Sequence, residues 1–487
     1  MLTGVNLLLR FAGTSFQVYL SGRIGAAGIG LLQLVMSVGS LAMVAGIGGI
    51  RTATMYMTAE EIGKKKGQNV TWVLSGCILY SIVFSGTIAF LLYRFAPFIA
   101  ANWIGDIRTT DALRLFCAFL PVCCLCSVMS GYFTAANRIS TLAAVEVAEQ
   151  ALSMCFTLGA LALWAGSDPC RACLCVILGS SLGAVLTLCC LINLRIRENA
   201  PCGMRIAVRH RLMETALPLA IADDMKSGIT TAENLMVPKR LALNAATSNP
   251  LAAFGMVSGM VFPVIMFPAA ILFGLTELLI PELARCYAAE NQTRIHYLVK
   301  KSLLVALVYG IYFGGAIFLL AEELCIRLYH NAEGALYLRL YGLLIPILYC
   351  DAITDAIIKG LGQQKVCVRY NIFTSGLDVA FLYLLLPTYG MNGYYFSFLI
   401  THLVNFLLSF RRLLKITIQT IPLHIPLLSA TAIVFSIWSS SYVRSPWLRL
   451  LCYTLILGSS LFLCRILTFH DIRWIKNLIY KKTSPER

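Results

Sequence analysis

The sequence predicts an all-α polytopic membrane protein of about fourteen transmembrane helices, built as two pseudo-symmetric six-helix lobes followed by a C-terminal helix pair. Three observations lead there: composition, the spacing of apolar runs, and landmarks that recur between the halves. Of 487 residues, 59% are hydrophobic and 13% charged, with a mean hydropathy of +0.78. Soluble globular domains do not reach such values. A bilayer core of about 30 Å is crossed by roughly 20 apolar residues in a helix.

Runs of that length fall at 2–21, 29–57, 70–93, 112–136, 141–165, 172–194, 213–238, 251–280, 299–321, 335–358, 367–387, 390–410, 421–440 and 446–467. The basic residues that give a net charge of +16 are spread over every second loop rather than gathered into one patch. Lys64, Lys65 and Lys66 follow span two, Arg195 to Arg211 follow span six, and Arg285 to Lys301 follow span eight. Arg411, Arg412 and Lys415 follow span twelve, and Arg473, Lys476, Lys481 and Lys482 lie in the tail. That pattern argues for a bilayer and against nucleic acid. The alternate loops hold Asp106, Asp111, Asp168, Glu322, Glu323 and Glu333. By the positive-inside rule both termini are cytoplasmic, which an even span count requires.

Span one lacks a basic leader and a small-residue cleavage site, and Arg10 interrupts its apolar run, so no cleavable signal peptide is expected. The eighteen cysteines lie mostly inside apolar runs. The two CxxC spacings, Cys123 to Cys126 and Cys170 to Cys173, have no histidine nearby, and no metal site is expected. A disulfide among Cys170, Cys173 and Cys175 stays open.

The basic loop at 195–212 divides the first twelve spans into two sixes. Span two ends in EEIGKKKG (60–67) and span eight in LLIPELARCYAAENQ (278–292); span four ends in GYFTAANR (131–138) and span ten in IIKGLGQQK (357–365). In each, a helix end is followed by a short basic turn and another apolar span. Residues 1–200 therefore read as an N-lobe, 201–412 as a C-lobe, and 413–487 as an appended helix pair with a basic tail. Repeats of this kind are the architecture of secondary transporters.

Polar residues at helical spacing mark the pore-facing helices. Span one carries Asn6, Arg10, Thr14, Gln17 and Ser21; span two carries Gln33, Ser37, Ser40 and Arg51; span seven carries Asp223, Lys226, Thr230, Glu233 and Asn234. Lipid cannot satisfy such faces, so they turn inward. Arg10, at the centre of its span, costs roughly 2.5 to 3.5 kcal/mol on insertion scales. An aqueous cavity that receives an anion would offset that cost, as would a buried counter-ion or a helix boundary that moves Arg10 to the cytoplasmic face. Asp223 and Lys226, three apart, also fit a structural ion pair, and Arg51 is close enough to a loop to snorkel. Pro218 and Pro238 bracket span seven and Pro263 and Pro268 interrupt span eight; Pro238, Pro263 and Pro268 read as hinges, or as static packing features. Asp378, with Asn371 two turns earlier, reads as an ion-coupling site together with the span-seven acids. Asp351 and Asp355 read equally as a proton relay or a hydrogen-bonded helix contact.

The runs RFAG (10–13), GAAGIGLLQL (25–34), ENLMVPKRL (233–241), GMVSGMVFPVIMFP (255–268) and KGLGQQK (359–365) resemble the oligosaccharide flippase, or polysaccharide transporter, branch of the MATE-like (MOP) exporter superfamily. The likeness is greatest to the stage V sporulation protein B group, and extends to lipid II flippases. It implies a fourteen-helix, two-lobed, alternating-access transporter in the bacterial plasma membrane. Its cargo would be a polyprenyl-pyrophosphate-linked saccharide such as a peptidoglycan precursor. It further implies that Arg10, and Arg51 with it, meet the pyrophosphate. Relatives commonly continue the basic line one to two turns beyond Arg10, where this chain has Phe16 and Gln17.

The expected protein is thus a monomeric transporter with no enzymatic activity and no cofactor, coupled to Na+, H+ or the membrane potential, with Asn371 and Asp378 as the coupling residues. The alternative is a multidrug/cation antiporter of the same superfamily, which favours an acidic residue in span one; this span has none. A glycan polymerase would need a large catalytic outer loop, and no such loop or nucleophile motif is present.

Overall fold

The computed structural model describes residues 2–63, 69–165, 168–197, 208–417, 424–464 and 466. The side chains of Asn6, Arg10 and Pro218 lie outside the described residues, as do Lys64 to Lys66, Arg205 and the basic tail. The described chain is helical throughout. In order, the helices are α1 (Leu2–Ile47), α2 (Ile50–Gly63), α3 (Val70–Phe98), α4 (Thr110–Ala135), α5 (Ile139–Ala160), α6 (Pro169–Ile196), α7 (Val208–Leu241) and α8 (Pro250–Met256). They continue as α9 (Phe262–Ala288), α10 (Gln292–Tyr329), α11 (Gly334–Gly342), α12 (Ile345–Gly360), α13 (Gln364–Tyr389), α14 (Met391–Thr417), α15 (His424–Ser441) and α16 (Pro446–Leu463).

Among the described residues ten helices are long and apolar enough to cross a membrane, or up to eleven if α11 and α12, bent by 50°, form one span. The predicted fourteen are recovered by dividing α1, by adding the shorter apolar helix at Leu428–Ser441, and by counting α7, whose polar stripe lowers its hydropathy. The first two predicted spans both lie in α1. Its 46 residues would run about 70 Å if straight, but Gly25, at φ 71° and ψ 176°, breaks the helix into two arms. Only glycine holds that conformation without strain. Span two was expected to run to 57; Gly48 and Gly49, both at positive φ, instead end α1 and start α2.

By packing, the chain forms two compact units, Met1–Pro263 with Ser375–Ser397, and Val264–Thr374 with Phe398–Arg487. This is a different partition from 1–200, 201–412 and 413–487, which describes a repeat rather than contacts. In the first unit a core of Ile50, Met57, Val73, Cys77, Phe133 and Leu191 joins α2, α3, α4 and α6, with Leu212 and Ala216 of α7. Leu79, Val83 and Phe90 of α3 are exposed, as suits a surface solvated by lipid. Cys170, Cys173 and Cys175 are free thiols buried in α6.

The two motifs GAAGIGLLQL and GMVSGMVFP pack against each other in this unit. A Cβ on Gly255 would stand 2.0 Å from the Ala26 carbonyl oxygen and 2.5 Å from the Gly30 nitrogen, and one on Gly259 would strike Ile29. The second arm of α1 therefore touches the α8 backbone directly. Beyond α8 the chain makes a π-helical turn at Val257–Val261, and Pro263 has no N–H for the Gly259 carbonyl four residues earlier. Gln17 donates its Nε2 to that carbonyl at 3.0 Å.

In the second unit α15 and α16 dock on α10 through Ile311, Leu319, Ala432, Tyr453, Leu457 and Leu461. Tyr453 donates its hydroxyl to the Ile311 carbonyl at 2.9 Å. Arg449 binds Glu323 and the Leu319 carbonyl, each at 3.0 Å.

Candidate binding groove

The second arm of α1 and α7 meet at Ser37. Its carbonyl accepts from the Thr231 hydroxyl at 3.1 Å, and its hydroxyl accepts from Asn234 Nδ2 at 2.8 Å. Thr231 and Asn234 are three apart, so one turn of α7 makes both bonds. Beside this junction runs a groove of about 380 Å³ lined by Ser37, Ser40, Asp223, Lys226, Ser227, Thr230 and Asn234, with apolar walls from Val44 and Ile47. The stripes read on spans two and seven therefore face one another. Asp223 and Lys226 are both exposed, and among the described residues no ion pair joins them. With Thr231 also in the wall, an ammonium, a carboxylate, five hydroxyls and an amide line one opening.

The remaining candidates divide. Thr14 is half-buried on the first arm, while Gln17 is committed to the Gly259 carbonyl. Arg51 is exposed at the start of α2 and is not part of the groove wall. Arg10 belongs to α1, but its side chain lies outside the described residues. Pro238 is in the last turn of α7, where its carbonyl accepts from the Ala242 N–H. That end of the helix is fastened: Lys239 donates to the Asn102 carbonyl, Arg240 stacks its guanidinium on the Tyr383 ring at 3.2 Å, and Asn244 donates to the Pro387 carbonyl at 3.0 Å. Pro263 follows the π-helical turn, and the carbonyl of Pro268 accepts from Tyr309 at 2.8 Å.

Glu233 is not part of the groove wall, and its charge interacts with that of Asp378 of α13. Asp378 accepts from the Ser397 hydroxyl at 2.5 Å, and buried Tyr394 feels both acids. Asn371 is not part of this cluster. It donates to Asp355 at 3.2 Å, within the second compact unit. Ser397 and Tyr394, unremarkable in sequence, are polar groups three apart in an apolar helix, and that spacing was their one signal. Among the described residues no three His, Cys, Asp or Glu side chains converge as a metal site.

Residues 241–384 match the MatE family model. The chain is 20% identical to stage V sporulation protein B of Bacillus subtilis over 405 residues, covering 81% of this chain and 78% of the relative. It is 24% identical to sporulation protein YkvU of the same organism over 179 residues, 37% of this chain and 40% of that one. Its fold matches an inward-facing multidrug resistance MATE family transporter of the MOP superfamily, with a TM-score of 0.68 at 13% identity, over 86% of this chain and 100% of the other. The chain shares the fold of that transporter. The lipid II flippase MurJ in an inward closed conformation shares it, with a TM-score of 0.69 at 13% identity, over 94% of this chain and 97% of that one. The resemblance read from the short motifs is borne out, and the two solved structures that share the fold are transporters.

Proposed function

We propose that this chain is an alternating-access flippase that moves a polyprenyl-pyrophosphate-linked saccharide, such as a cell-wall precursor, from the inner to the outer leaflet. The observation that carries the reading is the α1–α7 groove, where a free ammonium stands among hydroxyl and amide groups. Lys226 offers three donors to phosphate oxygens as a charge-assisted contact. Ser37, Ser40, Ser227, Thr230 and Asn234 offer the donors and acceptors that sugar hydroxyls need. The polyprenyl tail needs no protein site because it stays in lipid. The similarity to a sporulation protein B and the fold shared with a lipid II flippase support the same reading. Arg10, on the first arm of α1, is proposed to add the second cation, and Arg51 a peripheral one.

The proposed setting is a bacterial plasma membrane, with a monomer whose termini are both cytoplasmic. Glu233 and Asp378 are the proposed coupling site for Na+ or H+, and Pro238, Pro263 and Pro268 the proposed hinges. The same two acids favour one second reading, a multidrug/cation antiporter, since a carboxylate pair attracts cations. Against it, α1 holds no Asp or Glu. The test is complementation of a flippase-deficient strain by Arg10→Ala and Lys226→Ala variants that reach the membrane. Failure of both to complement supports the flippase; full complementation by both rejects it.

A further inference from the structure

We propose that Asp351 and His402 form a proton-binding pair in the second compact unit, with a half-exposed imidazole passing its proton to a buried carboxylate. Asp351 is 8% exposed and faces α14 across the α12 surface. Both of its oxygens accept from Asn405 Nδ2, at 3.0 and 3.1 Å. His402 Nδ1 stands 3.7 Å from Asp351 Oδ2, and the imidazole side chain is 38% exposed. The pair thus has a buried acid and a half-exposed base. The Phe398 ring packs on the imidazole with centroids 4.3 Å apart, and Tyr341 packs on Phe398 at 5.4 Å, so the ring is held beside the carboxylate.

The surroundings leave the proton as the species that balances charge. Asp355, one turn along α12, accepts from Asn371 at 3.2 Å and from Ser409 at 2.9 Å, and Asn405 Oδ1 accepts from Thr374 at 3.4 Å. Around Asp351 stand Cys350 and Asp355 of α12, Cys367 of α13 and Asn405 of α14, while Asn371 and Ser409 bond Asp355 and Thr374 bonds Asn405. Lys359 is exposed, two turns further on α12. Among the described residues the one ion pair to Asp351 is that with His402. A single amide cannot neutralise a carboxylate in a membrane interior. Two arrangements do: imidazolium beside carboxylate, or neutral imidazole beside carboxylic acid, both with no net charge on the pair.

In the transfer, the N–H bond at Nδ1 breaks and an O–H bond forms at Oδ2. The imidazole keeps the electron pair and can take a further proton at its exposed edge. The pair therefore binds one proton when the imidazole is neutral and two when it is recharged. The pair is a different site from Glu233 and Asp378, which belong to the first compact unit, and it does not depend on what the groove carries.

The experiment is infrared difference spectroscopy of the full-length chain in lipid nanodiscs after a pH jump, reading the carbonyl band of protonated carboxyl groups. Asp351→Asn should remove one such band, and Asp355→Asn should leave it. His402→Gln, at a half-exposed position, should keep the band but move its midpoint by about one pH unit, a tenfold change in proton affinity. A band that survives Asp351→Asn, or a midpoint unmoved by His402→Gln, overturns the proposal. Should Asp351→Asn fail to fold, the His402→Gln midpoint decides alone.

Discussion

The α1–α7 groove and the α12–α14 network are both made of polar residues in apolar helices, yet they are finished differently. In the network the carboxylates of Asp351 and Asp355 are engaged by Asn405, Asn371 and Ser409. In the groove only Ser37, Thr231 and Asn234 bond to each other, while Asp223, Lys226 and Thr230 face open space. Internal satisfaction rigidifies a helix contact and costs little once made. A polar wall left open has its partner elsewhere, in water or cargo. The difference separates polar groups met by a neighbouring helix from polar groups left open to cargo, which spacing alone does not do.

The comparison can be broken in several places. The largest expected effect is on the frame that carries the groove. Gly255→Val drives side-chain atoms into the Ala26 and Gly30 backbone and should cost about 3 kcal/mol or more, seen as a lower unfolding temperature in detergent or as loss of folded protein. Next is Asn405→Leu, which strips the amide from the Asp351 carboxylate and should cost about 1–3 kcal/mol, again read by thermal unfolding. Lys226→Ala should leave stability within about 0.5 kcal/mol yet lower transport roughly tenfold or more, the worth of a charge-assisted hydrogen bond. Thr230→Val should lower transport by a smaller factor, again without a stability change. If Lys226→Ala destabilises as much as Asn405→Leu, the distinction between the two regions fails.

The smallest effect is expected at the turn between α3 and α4. There Arg108 hydrogen-bonds the Asp106 carboxylate at 2.9 and 3.1 Å and holds its pKa below the ordinary carboxylate value. A depressed pKa adds stability above the unfolded-state value, lost as pH falls through the folded one. Asp106→Asn should therefore lower stability slightly at neutral pH and flatten the acid limb of the profile, the two proteins converging below the usual carboxylate range.

Much of this was legible in the sequence. Apolar runs and loop charges gave the helices, because each span must satisfy its backbone internally. The stripe on α7 and the serines of α1 gave the groove, because helical spacing is fixed. What spacing could not give was rotation about each helix. Gln17 sits on the Arg10 face but is spent on a carbonyl that Pro263 leaves without its N–H. Asn371 shares a helix with Asp378 but bonds to Asp355. Glu233 belongs to the groove stripe by number yet approaches Asp378. The breaks at Gly25 and at Gly48–Gly49 were also hidden, since glycines in membrane helices are common and only some take positive φ. Ser397, Tyr394 and His402 needed the neighbouring helix to acquire meaning.

The most direct test is protease- or lectin-type accessibility of a labelled polyprenyl-pyrophosphate saccharide in vesicles that contain the purified chain, compared with vesicles carrying Lys226→Ala. The account predicts that the label becomes accessible on the opposite leaflet with the wild-type chain and does so at least several-fold more slowly with the variant. Drug-stimulated cation flux with no movement of the labelled lipid would contradict it and point to an antiporter.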